Sequence, residues 1–198
     1  MKPGNLVGEV LMGGNDEILY RLNDRDEIVF VNDVWSQFAT ANDGRHLVAS
    51  QVLDRSLWDF ITDLTTRQLY RDRLKRLRLG RSVQFTFRCD SPACRRLMGM
   101  RVALCSEGEV ELRTRSLSQQ DRQSQPLLET GQARSDERVL ICGWCLRVKV
   151  GDSWLELEEA VFSLRLFESP VLPLLNHAMC ETCYEEMRQT LGAHEARQ

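Results

Sequence analysis

The apolar and polar positions of this chain fall into short segments of two periods. Ile18 to Leu22 and Ile28 to Val31 are brief β-rich runs. Asn23-Asp24-Arg25-Asp26 joins them with residues that bond their own backbone in turns, so the pair predicts a hairpin. Asn32 then stands at a helix-cap position, with Val34, Trp35 and Phe38 at helical spacing, and Asn42-Asp43-Gly44 ends that helix. Val52 to Ile61 mixes apolar residues with the cappers Asp54 and Ser56, which predicts short helical turns. Asp63 caps a longer helix, Leu64 to Leu79, stopped by Gly80. Tyr70, Leu74 and Leu77 make its apolar face. Arg67, Arg71, Arg73, Lys75, Arg76 and Arg78 make the other, which is expected to be solvated.

Alternation then takes over. Val83, Phe85, Phe87 and Cys89 alternate with Gln84, Thr86 and Arg88, the period of a half-buried strand. Leu97 to Leu104 and Val110 to Thr114 are two further strands, separated by a Glu107-Gly108 turn. Few residues in 117–137 can bury a core, so that stretch is expected to be a solvated linker. Val139 to Ile141 opens the last third. Trp154 to Phe167 carries Leu157, Ala160, Val161, Leu164 and Phe167 on a helical face and predicts a helix. Ser169 to Leu175 is interrupted by prolines and predicts a loop, and Cys180 to Leu191 predicts a closing helix.

Two C-x-x-C units dominate the chemistry of that last third: Cys142-Gly143-Trp144-Cys145 and Cys180-Glu181-Thr182-Cys183. A tetrahedral Zn²⁺ takes four N or S ligands, and a two-residue gap lets one turn aim two thiolates at the same ion. Cys142, Cys145, Cys180 and Cys183 are therefore the expected ligands of one structural zinc. The gap between the pairs is longer than in compact fingers, but loop closure costs grow slowly with length. His177 is a possible ligand, a hydrogen-bond partner of a ligand, or a cap of the closing helix. Four thiolates already fill a tetrahedron, which ranks direct ligation last. The rival reading is a redox dithiol at Cys142 and Cys145. Reactive pairs sit at helix N-termini, whereas Leu146 to Val150 predicts a strand or turn. Covalent haem is excluded, because Leu146 and Tyr184 stand where C-x-x-C-H needs His. Cys89, Cys94 and Cys105 are expected to be single thiols.

Composition narrows the setting. The 198 residues, 42% hydrophobic and 28% charged, fit one large or two small globular domains. A net charge of -3 supplies no global basic field for nucleic acid or an anionic membrane. Aromatics are scarce along the arginine-rich helix, so a zinc-dependent nucleic-acid binder is the weaker alternative. No apolar run approaches the roughly 20 residues of a membrane span, and Met1 to Met12 lacks a signal-peptide pattern. The expected location is the cytoplasm, where paired cysteines bind metal or do redox work rather than form structural disulfides. No nucleophile with a base and an orienting partner is recognisable. Glu156, Glu158 and Glu159 are expected to be helix-surface charges, and the chain is not expected to be an enzyme.

The order of strand, strand, helices and three strands resembles a bacterial PAS-like sensor domain over residues 15–116. Ile28-Val29-Phe30-Val31-Asn32 with Trp35 and Phe38 is similar to the PAS opening, and Ser56 to Ile61 to the stretch before its long helix. Arg88-Cys89-Asp90-Ser91-Pro92 leading to Arg95-Arg96-Leu97-Met98 is similar to a segment of such proteins. Cys142, Cys145, Trp154, His177, Cys180 and Cys183 also resemble a small C-x-x-C…H-x-x-C-x-x-C module that follows sensor domains. These resemblances imply an α+β fold with a five-stranded antiparallel sheet. They divide the chain into an N-terminal flank (1–14), a PAS-like domain (15–116), a linker (117–137) and a zinc-binding module (138–192). They further imply a cytoplasmic signalling adaptor in which the first domain senses or pairs, and the module docks a protein partner. Leu6 to Met12 would contribute to a homodimer. An internal ligand of unknown identity would be lined by Trp35, Phe38, Trp58, Phe60, Phe85 and Phe87, though a filled core is the favoured reading of the same aromatics.

Overall fold

The computed structural model describes residues 17–42, 44–61, 63–78, 82–105, 108–129, 131–166 and 168–192. The expected N-terminal flank lies outside the described residues, as do Asp43, Gly80 and Glu107 of the expected turns. Strands β1 (Ile18–Leu22), β2 (Ile28–Val31), β3 (Val83–Arg88), β4 (Cys94–Leu104) and β5 (Val110–Asp121) form one antiparallel sheet, in the order β2-β1-β5-β4-β3. Helices α1 (Asp33–Ala41), α2 (Ala49–Val52) and α3 (Leu64–Leu77) lie between β2 and β3, as the residue pattern predicts.

Asn32 explains how the hairpin turns into α1. Its Oδ1 accepts from the Trp35 amide at 3.1 Å, capping the helix, and from the Leu19 amide at 3.1 Å. Its Nδ2 donates to the Glu17 carbonyl at 2.7 Å, so one side chain fastens β1 to the start of α1. The inward faces of the strands meet α2 and α3 in one cluster that includes Leu22, Ile28, Val52, Leu74, Leu77 and Leu112.

The cationic face of α3 is not uniformly solvated. Arg73 is three residues after Tyr70 and four before Leu77, so it shares their stripe, and only 3% of it is exposed. Arg67 donates to the carbonyls of Trp58 and Ile61, and Arg78 pairs with Asp26 at 2.6 Å.

A second sheet, in the order β8-β7-β6-β9, is built from β6 (Arg134–Cys142), β7 (Val148–Val150), β8 (Ser153–Leu155) and β9 (Leu172–Ala178), with helices α4 (Leu157–Ser163) and α5 (Glu181–Gly192). Three expectations change here. The helix expected from Trp154 begins at Leu157. Trp154 instead lies in β8, because Gly151-Asp152 closes a tight hairpin, with Gly151 at a φ of 55°. The proline-interrupted loop is largely strand β9, which runs parallel to β6. Its Pro173 is tolerated because β9 lies at the edge of the sheet. The expected linker is largely structured. β5 continues to Asp121 against β4, Leu127 is buried in the second core, and β6 starts at Arg134. Among the described residues no helix is long and apolar enough to cross a membrane.

Asn32→Ala removes a helix cap together with two links to β1, and is expected to lower the unfolding free energy by about 2 kcal/mol. Urea denaturation checks this, with Asn32→Asp expected to recover the capping share.

Candidate metal centre

The two cysteine turns meet because β6 and β9 run side by side in the same direction. Their last paired residues are Cys142 and Ala178. Beyond Cys142 the chain turns through Gly143, Trp144 and Cys145. The Leu146 amide donates back to the Cys142 carbonyl at 2.9 Å and the Cys142 amide to the Arg147 carbonyl at 2.7 Å. Leu146 takes the left-handed conformation, φ 59°, that folds the turn back into β7. Beyond Ala178, Cys180 precedes α5 and Cys183 lies in its first turn. The Gly143 amide donates to the Ala178 carbonyl at 2.9 Å, tying one turn to the other.

The four sulfurs of Cys142, Cys145, Cys180 and Cys183 all lie within 4.8 Å of one another. Zinc–thiolate bonds of about 2.3 Å at the tetrahedral angle place sulfurs about 3.8 Å apart. The Cys145 and Cys180 sulfurs are 3.7 Å apart, so the set needs only a small contraction to enclose an ion. Two backbone amides already point at sulfur: Cys180 N to Cys142 Sγ and Cys183 N to Cys180 Sγ, each at 3.4 Å. Such donors favour thiolate over thiol. Hydrogen bonds from Cys145 and Cys183 pull the Cys142 thiol down, against the effect of burial. The bond with Cys142 pushes the Cys145 thiol up to about 12, and bonds with Cys142 and Cys145 push Cys183 up as well. Sulfurs this close cannot all ionise without a cation among them, and a divalent ion fits the donor set.

His177 is exposed on β9, opposite Ile141, and is not one of the four converging groups. Cys89, Cys94 and Cys105 belong to the first sheet and its margins and also stand apart from the cluster. Cys142 and Cys145 sit at a strand end and a turn, as the residues predict, rather than at a helix N-terminus.

The turn is also seated on the first sheet. The Trp144 ring lies 5.0 Å from Phe85, 6.2 Å from Phe87 and 5.9 Å from Tyr70, centroid to centroid. The Arg88 amide, on the open edge of β3, donates to the Trp144 carbonyl at 2.8 Å. Charges join the same two parts. Arg88 pairs with Asp90 and, at 2.8 Å, with Glu156; Arg95 reaches Glu158 at 3.0 Å; Arg122 reaches Asp90 and Glu158, each at 3.1 Å. The Asp90 side chain has 0% exposure, so its two arginines are what make its burial tolerable. Glu156 and Glu158 are therefore cross-links, not simple surface charges. The sequence carries no periodic signal for these pairs, because their partners lie more than 30 residues apart.

A cavity of about 640 Å³ opens between α1 and the first sheet. Tyr20, Trp35, Phe38, Phe87, Met98 and Met100 contribute its apolar wall, with Arg96 and Asn42 among its polar groups. Of the six aromatics expected around an internal ligand, Trp35, Phe38 and Phe87 line this space. Trp58, Phe60 and Phe85 pack against the core away from this space, and Trp35 and Phe87 touch both. The core beneath α2 and α3 is filled, and the space lies beside it, along α1.

No family model and no curated protein matches the chain. Among solved structures, it is similar to a PAS domain from a two-component sensor histidine kinase, at 16% identity and a TM-score of 0.34, covering 54% of this chain and 89% of the other. A likeness this loose carries no conclusion.

Burial raises the Glu156 carboxyl, but hydrogen bonds from Arg147 and Arg88 and the charges of Arg88 and Arg95 outweigh it, so the group ends below its usual value. A lowered folded-state value means that the unfolded chain binds the proton first as pH falls. Stability from Glu156 is present above the ordinary carboxylate range and lost below it, from about pH 5 to pH 3. Glu156→Gln is expected to be less stable than the unmodified chain at pH 7 and to lose less stability across that interval, as measured by thermal melts at each pH.

Proposed function

We propose that this chain is a sensory or adaptor protein of a signalling pathway, with a PAS-like first domain and a structural zinc module that presents a surface to a protein partner. The convergence of four cysteine sulfurs at the ends of two parallel strands carries the metal half of this reading. A closed set of four thiolates leaves no open position for water, so the ion organises the module rather than catalyses. The five-stranded antiparallel sheet, the helices between its second and third strands and the cavity under α1 support the sensory half. The cavity suits a small, mostly apolar ligand that meets Arg96 or Asn42 with a polar end.

The purified protein is expected to hold about one zinc per chain. Cys142→Ser and Cys180→Ser are each expected to lose most of it and to melt at lower temperature, with elemental analysis and calorimetry as the measurements. Stoichiometric zinc in both variants would remove the four-thiolate site.

A further inference from the structure

We propose that the Cys142–Cys145 turn is a metal-held latch on the open edge of the first sheet, and that the ion controls whether this edge is covered. The proposal rests on the zinc reading above and adds a regulated contact to it.

The latch has three parts. The bolt is Trp144, which lies between Cys142 and Cys145, so an ion held by both cysteines would restrain it. The seat is formed by Tyr70 of α3 with Phe85 and Phe87 of β3, all within 6.2 Å of the Trp144 ring, centroid to centroid. The catch is the Arg88 amide. It belongs to an edge strand and finds its acceptor in the Trp144 carbonyl at 2.8 Å. An uncovered strand edge is a template for pairing with another chain, and here the turn covers part of it.

One feature opposes the closed position. Arg73 is 3% exposed, and its Nε, Nη1 and Nη2 have no hydrogen-bond partner among the described residues. Its guanidinium lies 4.6 Å over the ring of Phe85, the same ring that Trp144 packs against. A buried cation without an acceptor favours any rearrangement that hydrates it. The closed latch therefore holds a charge that water would take back once the turn leaves. Metal binding rigidifies the turn and opposes that release. Loss of the ion frees Cys142 and Cys145 from a common centre, and the balance shifts to the open edge, where Tyr70, Phe85, Phe87 and Arg73 become available to a partner segment bearing an aromatic and an acidic group.

The test is hydrogen exchange on the full chain, zinc-loaded and after chelation, with metal content measured in both samples. Chelation is expected to lower protection at Arg88 by roughly tenfold or more while Tyr20 and Leu112, in the centre of the sheet, keep theirs. Zinc readdition restores it. Trp144→Phe provides a second readout: the chelation-induced red shift of tryptophan fluorescence seen in the unmodified chain is expected to be lost. Arg73→Met, which keeps the bulk and removes the charge, is expected to keep Arg88 more protected after chelation than the unmodified chain does. A chain that binds zinc but whose Arg88 protection ignores its removal overturns the latch and leaves the zinc reading standing. Loss of protection at Tyr20 and Leu112 together with Arg88 also overturns it, because the ion then supports the whole fold. A chain that binds no zinc at all overturns both.

Discussion

The parallel pairing of β6 with β9 is the constraint on which the rest of the second half depends. It carries the chain across the 35-position separation of Cys145 and Cys180 and delivers both cysteine turns to the same end of one sheet. Parallel strands need a long crossover, and here the β7–β8 hairpin and α4 supply it while burying Val148, Leu157, Ala160 and Val161 beneath the sheet. The cysteine cluster is then a consequence of topology. Four sulfurs converge because two strands end together, and the remaining contraction is small enough for an ion to complete. The Cys180 amide and, from the first turn of α5, the Cys183 amide point at the same cluster, where donors stabilise thiolate charge.

The two halves of the chain are joined by chemistry of two kinds. Trp144 makes an apolar contact with Phe85, Phe87 and Tyr70, and each such aromatic pair contributes about 1 kcal/mol beyond simple burial. Around it, Arg88, Arg95 and Arg122 meet Asp90, Glu156 and Glu158 in a partly buried network. Half-exposed ion pairs of this sort add little individually, but Arg88–Glu156, Arg95–Glu158 and Arg122–Glu158 together fix orientation, while Asp90 keeps both of its cations within the first part. The Cys142–Cys145 turn thereby sits against β3 in one register. A change at the cysteines reaches the first sheet directly, without an intervening hinge.

Much of the first half was legible in its residues. Asn32 marks both the end of β2 and the start of α1, and the alternation from Val83 to Arg88 names β3 and its two faces. Asp63 is placed as the cap of α3 by the same logic and accepts the Thr66 amide at 2.6 Å. The cysteine spacing identified the four residues that converge. What stayed hidden had physical reasons. Ser118 to Asp121 have no apolar pattern because that end of β5 is held by its ladder to β4, not by a buried face. Pro173 signals a loop, yet an edge strand accepts it. Arg73 counts as one more cation in a basic helix, and only its position on the Tyr70–Leu77 stripe explains its burial. The Arg88–Glu156 and Arg122–Glu158 pairs are long-range, and single-residue patterns do not report partners.

The most direct test of the account is X-ray absorption at the zinc edge of the purified chain, which counts the atoms around the ion. A four-thiolate site gives four sulfur scatterers at about 2.3 Å and no nitrogen or oxygen shell. A nitrogen contribution, as from His177, or an ion bound by fewer than four sulfurs would contradict it.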